Sequence, residues 1–98
     1  MESSNKTARC EQSRHKTLCD QLNTTYVLKN EKYGDSFSRS IQKYGLISAL
    51  TRISDKFNRC EQLILAHDFG TNTDESLKDT LLDMANYCLM TYMEIEDE

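Results

Sequence analysis

The 98-residue chain has no proline, no tryptophan and only three glycines, and aromatic residues fill just 8% of its positions. Without proline, no residue of the kind that breaks a helix interior is present. Nor does any stretch reach the roughly 18 apolar residues that a membrane span requires. The first nine residues are polar where a secretory leader carries an apolar core, so a cytoplasmic protein with no membrane partner is expected. Cys10, Cys19, Cys60 and Cys88 form no CxxC pair, which fits reduced thiols better than a disulfide frame. Cys10, His15 and Cys19 match no zinc spacing and lack a local fourth ligand. With 38% hydrophobic residues in so short a chain the core is modest, and completion by homo-oligomerisation is expected.

What is present is charge, unevenly laid. The net charge of -4 conceals three zones. Residues 1–25 carry four basic and three acidic groups, 26–60 carry seven and three, and 61–98 carry one and ten. The basic middle also holds Tyr26, Tyr33 and Tyr44, a mixture that can meet phosphates and stack on bases. The acidic total argues against long nucleic acid, whose binding rests on neutralising many phosphates. A small phosphorylated ligand fits better, although the basic and acidic zones can also simply neutralise each other across a helix interface.

Periodicity predicts an all-α chain, a small bundle of three main helices at about 13–33, 40–66 and 74–93. A polar tail (1–12) precedes this single domain (13–93), and an acidic tail (94–98) that frays follows it. The first helix carries Leu18, Leu22 and Tyr26 on one side and stops at Tyr33-Gly34 before a loop over 34–39. Ser38 or Ser40 caps the second, and Thr73 the third after a turn at 67–73. In the second helix Leu46, Leu50, Ile53, Phe57, Cys60 and Ile64 step by 4, 3, 4, 3 and 4, the spacing of a packed seam. Leu77, Leu81, Met84 and Cys88 form the matching seam of the third, which makes Cys60 and Cys88 small core residues. Neither His15 nor His67 has a nucleophile or an ordering acid near it, and both read as surface or cap residues.

Two polar lines run beside those seams. Arg52, Lys56 and Arg59 step by 4 and 3, with Asp55 placed to pair with Arg52 or Arg59 as ordinary surface charge. Asp79, Asp83 and Asn86 repeat the same step on the third helix, where a structural network to Arg52 or Arg59 is one reading.

Three separated blocks carry a resemblance. They are Lys29-Asn-Glu-Lys-Tyr-Gly-Asp-Ser-Phe, Gly45-Leu46 followed by Arg52-Ile-Ser-Asp-Lys-Phe-Asn-Arg59, and Asp79-Thr-Leu-Leu-Asp-Met-Ala-Asn-Tyr87. Over roughly residues 18–92 the chain resembles the nucleotide modification associated domain 1 family, found largely in phages and related to the all-α MazG-like and dimeric dUTPase pyrophosphohydrolases. The resemblance implies a nucleotide ligand. In the related enzymes, paired ExxE and ExxD acids on neighbouring helices hold magnesium, which neutralises phosphate and activates water. Here Asp79 matches the last acid of ExxD, but Ser76 stands three before it, and the other helix offers Arg52, Asp55, Lys56 and Arg59 where ExxE is expected.

Cations in place of acids keep the phosphate contact and discard the metal. The lead reading is therefore a nucleotide-binding protein of phage type, in the host cytoplasm, that captures a nucleotide-derived defence signal with little or no turnover and no cofactor. Arg52, Lys56 and Arg59 take the phosphates, assisted by Lys29 and by Arg39 in the serine-containing loop. Tyr33 offers its ring to the base, Asp79 and Asp83 fix the cations, Asn86 suits a base edge or the ribose, and Tyr87 beside them completes the nucleotide-binding set. The alternative is a magnesium-dependent pyrophosphohydrolase with Glu75, Asp79 and Asp83 as ligands, Glu61 or another chain completing the shell, and Lys56 or Arg59 stabilising charge. A third class is a helical protein-binding or inhibitor module.

Overall fold

The computed structural model describes residues 2–66 and 75–96. The predicted turn at 67–73, the Thr73 cap and His67 lie outside them. Every regular element among the described residues is helical, and they number four rather than the expected three: α1 (Glu2–Tyr33), α2 (Ser36–Tyr44), α3 (Ile47–Ala66) and α4 (Glu75–Glu96). The chain divides into two compact units, residues 1–34 and 35–98.

The first unit is α1. It starts at Glu2, well before the expected residue 13. An apolar stripe marks only the part from Leu18 onward, but no glycine or proline interrupts the polar part, which therefore continues as helix. Local pairs line it: Arg14 with Glu11 at 3.3 Å and Lys16 with Asp20 at 3.1 Å, each worth a few tenths of a kcal/mol at about 0.2–0.5. The helix ends as predicted at Gly34, whose φ of 65° belongs to the left-handed region and whose N–H donates to the Asn30 carbonyl at 2.8 Å.

In the second unit, what the sequence presents as a loop followed by one helix is instead two helices meeting at Gly45. Gly45 has φ 82° and ψ -176°, a combination open essentially to glycine alone, and its N–H closes α2 on the Ile41 carbonyl at 2.7 Å. The expected Ser38 and Ser40 caps are interior positions of α2. Ser38 instead donates to Glu94 Oε1 at 2.7 Å, so Glu94, assigned to a fraying tail, is held within α4.

α3 and α4 pack antiparallel: Lys56 meets Asp83 and Arg59 meets Thr80, so residues ascend on one helix as they descend on the other. Their contact takes in only part of the predicted seams: Ile53, Cys60, Ile64, Leu77 and Met84 are buried or half-buried. On α3 the buried or half-buried line is Ala49, Ile53, Lys56, Cys60 and Leu63, while Leu46, Leu50 and Phe57 are exposed. On α4 it is Ser76, Thr80, Asp83 and Tyr87, while Leu81 and Cys88 are exposed. On α4 the inward line lies one residue before the apolar seam, and on α3 Ala49, Lys56 and Leu63 do so while Ile53 and Cys60 belong to both lines, so both helices are turned in the same sense by up to the about 100° between successive residues. The fully buried residues are small, Ala49, Cys60 and Thr80, and this allows the two backbones to approach closely. Cys60 is thus the core residue expected, but Cys88 is not.

Because the helices are antiparallel, a rotation in the same sense sends both seams toward the same side of the hairpin. The other side receives Arg52 and Arg59 from α3 and Asp79, Asp83 and Asn86 from α4. The short helix α2 lies on this polar side, where Phe37 meets Tyr87 and where Ser48 and Met90 are half-buried.

Candidate functional site

The polar side is built by the register of two helices. Lys56 Nζ lies 3.4 Å from Asp83 Oδ2, with the two side chains 29% and 31% exposed. One turn along, Arg59 Nε donates to Thr80 Oγ1 at 3.2 Å, and Thr80 in turn donates to the Ser76 carbonyl at 2.6 Å. The Arg59 side chain is thereby held by one nitrogen while its residue remains exposed. In the opposite direction, four residues before Lys56 and four after Asp83, the same register brings exposed Arg52 level with half-buried Tyr87. The Tyr87 ring is paired with Phe37 of α2 at 5.4 Å between centroids and an interplanar angle of 43°, a tilted arrangement that leaves both rings positioned by each other.

The site therefore has two ends. Phe37, Tyr87 and half-buried Asn86, with Arg52 level with them, form an aromatic and amide end, and Lys56 and Arg59 form a cationic end. From Arg52 to Arg59 along α3 is about 10 Å at ~1.5 Å per residue. Asp79, at the cationic end, is exposed on α4. Arg39 is an exposed residue of α2, helical rather than in a loop.

Lys29 and Tyr33 belong to the other unit, at the end of α1, and both are exposed. The Lys32 ammonium lies 5.5 Å from the Tyr33 ring centroid, so one face of that ring already meets a cation. Among the described residues, Asp55 pairs with neither Arg52 nor Arg59, so the local surface-charge reading of that line is not how the structure satisfies it. The cross-helix network is present, but it runs from Lys56 to Asp83 and from Arg59 to Thr80.

Phe37 and Thr80 were not among the candidate residues. Thr80 had a signal in the sequence: Ser76, Thr80, Asp83 and Tyr87 step by 4, 3 and 4, a seam of polar residues beside the apolar one. Phe37 had none, since its partner is supplied by the break at Gly45 that separates α2 from α3.

The acids expected for magnesium do not fit it. Among the described residues no three histidine, cysteine, aspartate or glutamate side chains converge on a common point. Asp83 is engaged by Lys56, and Glu61, one turn beyond Phe57, stands on the apolar side of the hairpin, away from Asp79 and Asp83. Cys19 Sγ lies 3.7 Å from His15 Nδ1 on α1, without a third ligand. All four cysteines are free thiols. No described helix is long and apolar enough to cross a membrane.

No curated protein and no solved structure gives a significant match to the chain. A sequence family does: the one described as nucleotide modification associated domain 1 matches residues 29–95, about two thirds of the chain, and the protein belongs to that family.

Proposed function

We propose that this protein is a nucleotide-binding protein that captures a small phosphorylated nucleotide or nucleotide-derived signal on the polar side of the α3/α4 hairpin, with little or no turnover. The observation that carries the reading is the lengthwise order of the site: the Phe37–Tyr87 rings, Asn86 and Arg52 at one end, then Lys56, then Arg59. A nucleotide has the same order of chemistry, a flat base with hydrogen-bonding edges followed by anionic oxygens. Arginine forks suit those oxygens because they donate two parallel hydrogen bonds.

Lys56 is shared. Its ammonium is partly neutralised by Asp83, so Arg52 and Arg59 supply most of the uncompensated charge, and Asp83 sets the Lys56 side chain in place before the ligand arrives. Asn86 can donate to and accept from a base edge. The family's name supports a nucleotide as the ligand class. Capture without hydrolysis is supported by Arg52, Lys56 and Arg59 standing on α3 where the related enzymes carry acids, and by Lys56 engaging Asp83. In a phage acting within host cytoplasm, such capture serves to withhold a host defence messenger, linear or cyclic. The binding unit works as a homo-oligomer.

The test is a thermal-shift and calorimetric screen of the chain against mononucleotides, cyclic dinucleotides and ADP-ribose derivatives, each with magnesium and with EDTA, and with chromatography of the recovered ligand. Stabilisation that persists in EDTA with the ligand intact is the expected result. Magnesium-dependent conversion to a monophosphate would contradict it and make the protein a pyrophosphohydrolase.

A further inference from the structure

Among the described residues of its own unit, no element covers the apolar side of the hairpin. Leu46, Leu50 and Phe57 from α3 and Leu81, Cys88 and Tyr92 from α4 are all exposed there, with Leu50 at 58% and Phe57 at 56%. Antiparallel register makes them neighbours: Phe57 is level with Leu81, and Leu46 and Leu50 with Cys88 and Tyr92. Leu46, Leu50, Phe57, Leu81 and Cys88 belong to the two seams whose 4-3-4 spacing is that of a helical bundle, yet the hairpin contact leaves them outside it. A helix in a bundle buries such residues against a second neighbour. The hairpin is thus half of a layered structure, and α2 is on the wrong side to complete it.

We propose that a second copy of the same hairpin covers this side, apolar face to apolar face, about a twofold axis, giving a four-helix bundle with the polar sides outward. Three observations favour a second copy over a different partner. The face carries a single charge among its described residues, Glu61, one turn beyond Phe57, and interfaces between identical subunits tend to be poor in charge. Of the acids of α4, Glu75 and Asp79 lie on the other side, while Asp83 and Glu94 are half-buried and engaged by Lys56 and Ser38, so two copies can meet on the apolar face without these acids opposed. The area is also adequate. A face about 30 Å long and about 20 Å wide offers about 600 Å² per copy, or about 1,200 Å² for the pair, which reaches the standard range for stable complexes.

The inference specifies the oligomer in the functional reading above but does not depend on nucleotide binding, and its test uses no nucleotide. Light scattering on the whole chain is expected to give at least twice the 11.4 kDa chain mass. Peptide mapping after maleimide treatment is expected to find Cys88 protected at assembling concentrations and labelled on dilution. Leu50→Lys with Phe57→Lys should weaken self-association roughly a hundredfold or more, since four buried apolar side chains per dimer are lost. Gln62→Lys, exposed and about 120° round α3 from Leu50, should leave the mass unchanged.

A monomer whose Cys88 labels at every concentration would overturn the proposal. So would a monomer with Cys88 protected, which would mean that the chain's own α1 is the occupant, and so would an assembly in which Cys88 stays reactive, which would place the contact elsewhere. If the double variant fails to fold, the mass and Cys88 protection of the unaltered chain decide. A nucleotide screen without hits alongside a protected dimer would count against the proposed function alone.

Discussion

The two sides of the α3/α4 hairpin are made by the same two helices and differ in nearly everything else. One side carries arginine, lysine, aspartate, asparagine and a pair of rings tied together across three helices. The other carries leucine, phenylalanine, tyrosine and a thiol that touch no other helix of their unit strongly enough to be buried. The wall between them is thin, resting on Ala49, Cys60 and Thr80. The comparison teaches that a small helix pair need not put its largest apolar residues between its own helices. It can close on small residues and keep one face for each kind of partner, a polar ligand on one side and a copy of itself on the other.

That separation can be broken from either side. The largest effect is expected from Arg52→Ala with Arg59→Ala, which removes two charge-assisted contacts. At about 1.5–3 kcal/mol each, the double change should lower nucleotide affinity by roughly a hundredfold or more in calorimetry while the oligomeric mass stays the same. Next is Ala49→Leu, in the wall itself. Ala49 is 1% exposed and has no room to grow, so overpacking should cost about 1–3 kcal/mol in a denaturant titration and disturb both sides at once.

A smaller change comes from Gly45→Ala. Nothing lies within 4 Å of the added carbon, so the cost is entirely that of forcing an L-residue to φ 82°, about 1–2 kcal/mol. It should appear as loosened Phe37–Tyr87 packing, read by tyrosine fluorescence, because α2 is the element that Gly45 directs onto the polar side. The smallest effect on stability sharpens the comparison most. Asp83→Asn removes an ion pair about a third exposed, costing under about 1 kcal/mol. Yet it should strengthen phosphate binding, because Lys56 no longer shares its charge with a carboxylate.

Much of this was legible in the sequence, for identifiable reasons. The all-helical class followed from the missing prolines and the 4-3 spacing, and the end of α1 from Gly34. The family was legible in three short blocks, and it holds. The pairing of the α3 cations with α4 was foreseen in kind, though Asp83 takes Lys56 rather than an arginine and Thr80 takes Arg59.

The rotation of both helices was not legible, because hydrophobic periodicity identifies an apolar face without saying what covers it. Assigning Leu50 and Phe57 to the intrachain core assumed that the nearest helix was the cover. The division of the second helix was missed because Gly45 is one glycine among three, and only its φ distinguishes a break from a tolerated interior position. The start of α1 at Glu2 was missed because a helix held by local charge pairs shows no stripe. Phe37 was missed with α2.

The central claim is that the polar side holds a nucleotide and does not hydrolyse it. The most direct measurement is calorimetric titration of the unaltered chain and of the Arg52→Ala, Arg59→Ala variant with the best ligand from the screen, in EDTA, with the ligand chromatographed afterwards. The account predicts binding by the unaltered chain, binding largely lost in the variant, and a ligand recovered intact. Equal binding by both proteins, or a ligand converted once magnesium is restored, would contradict it.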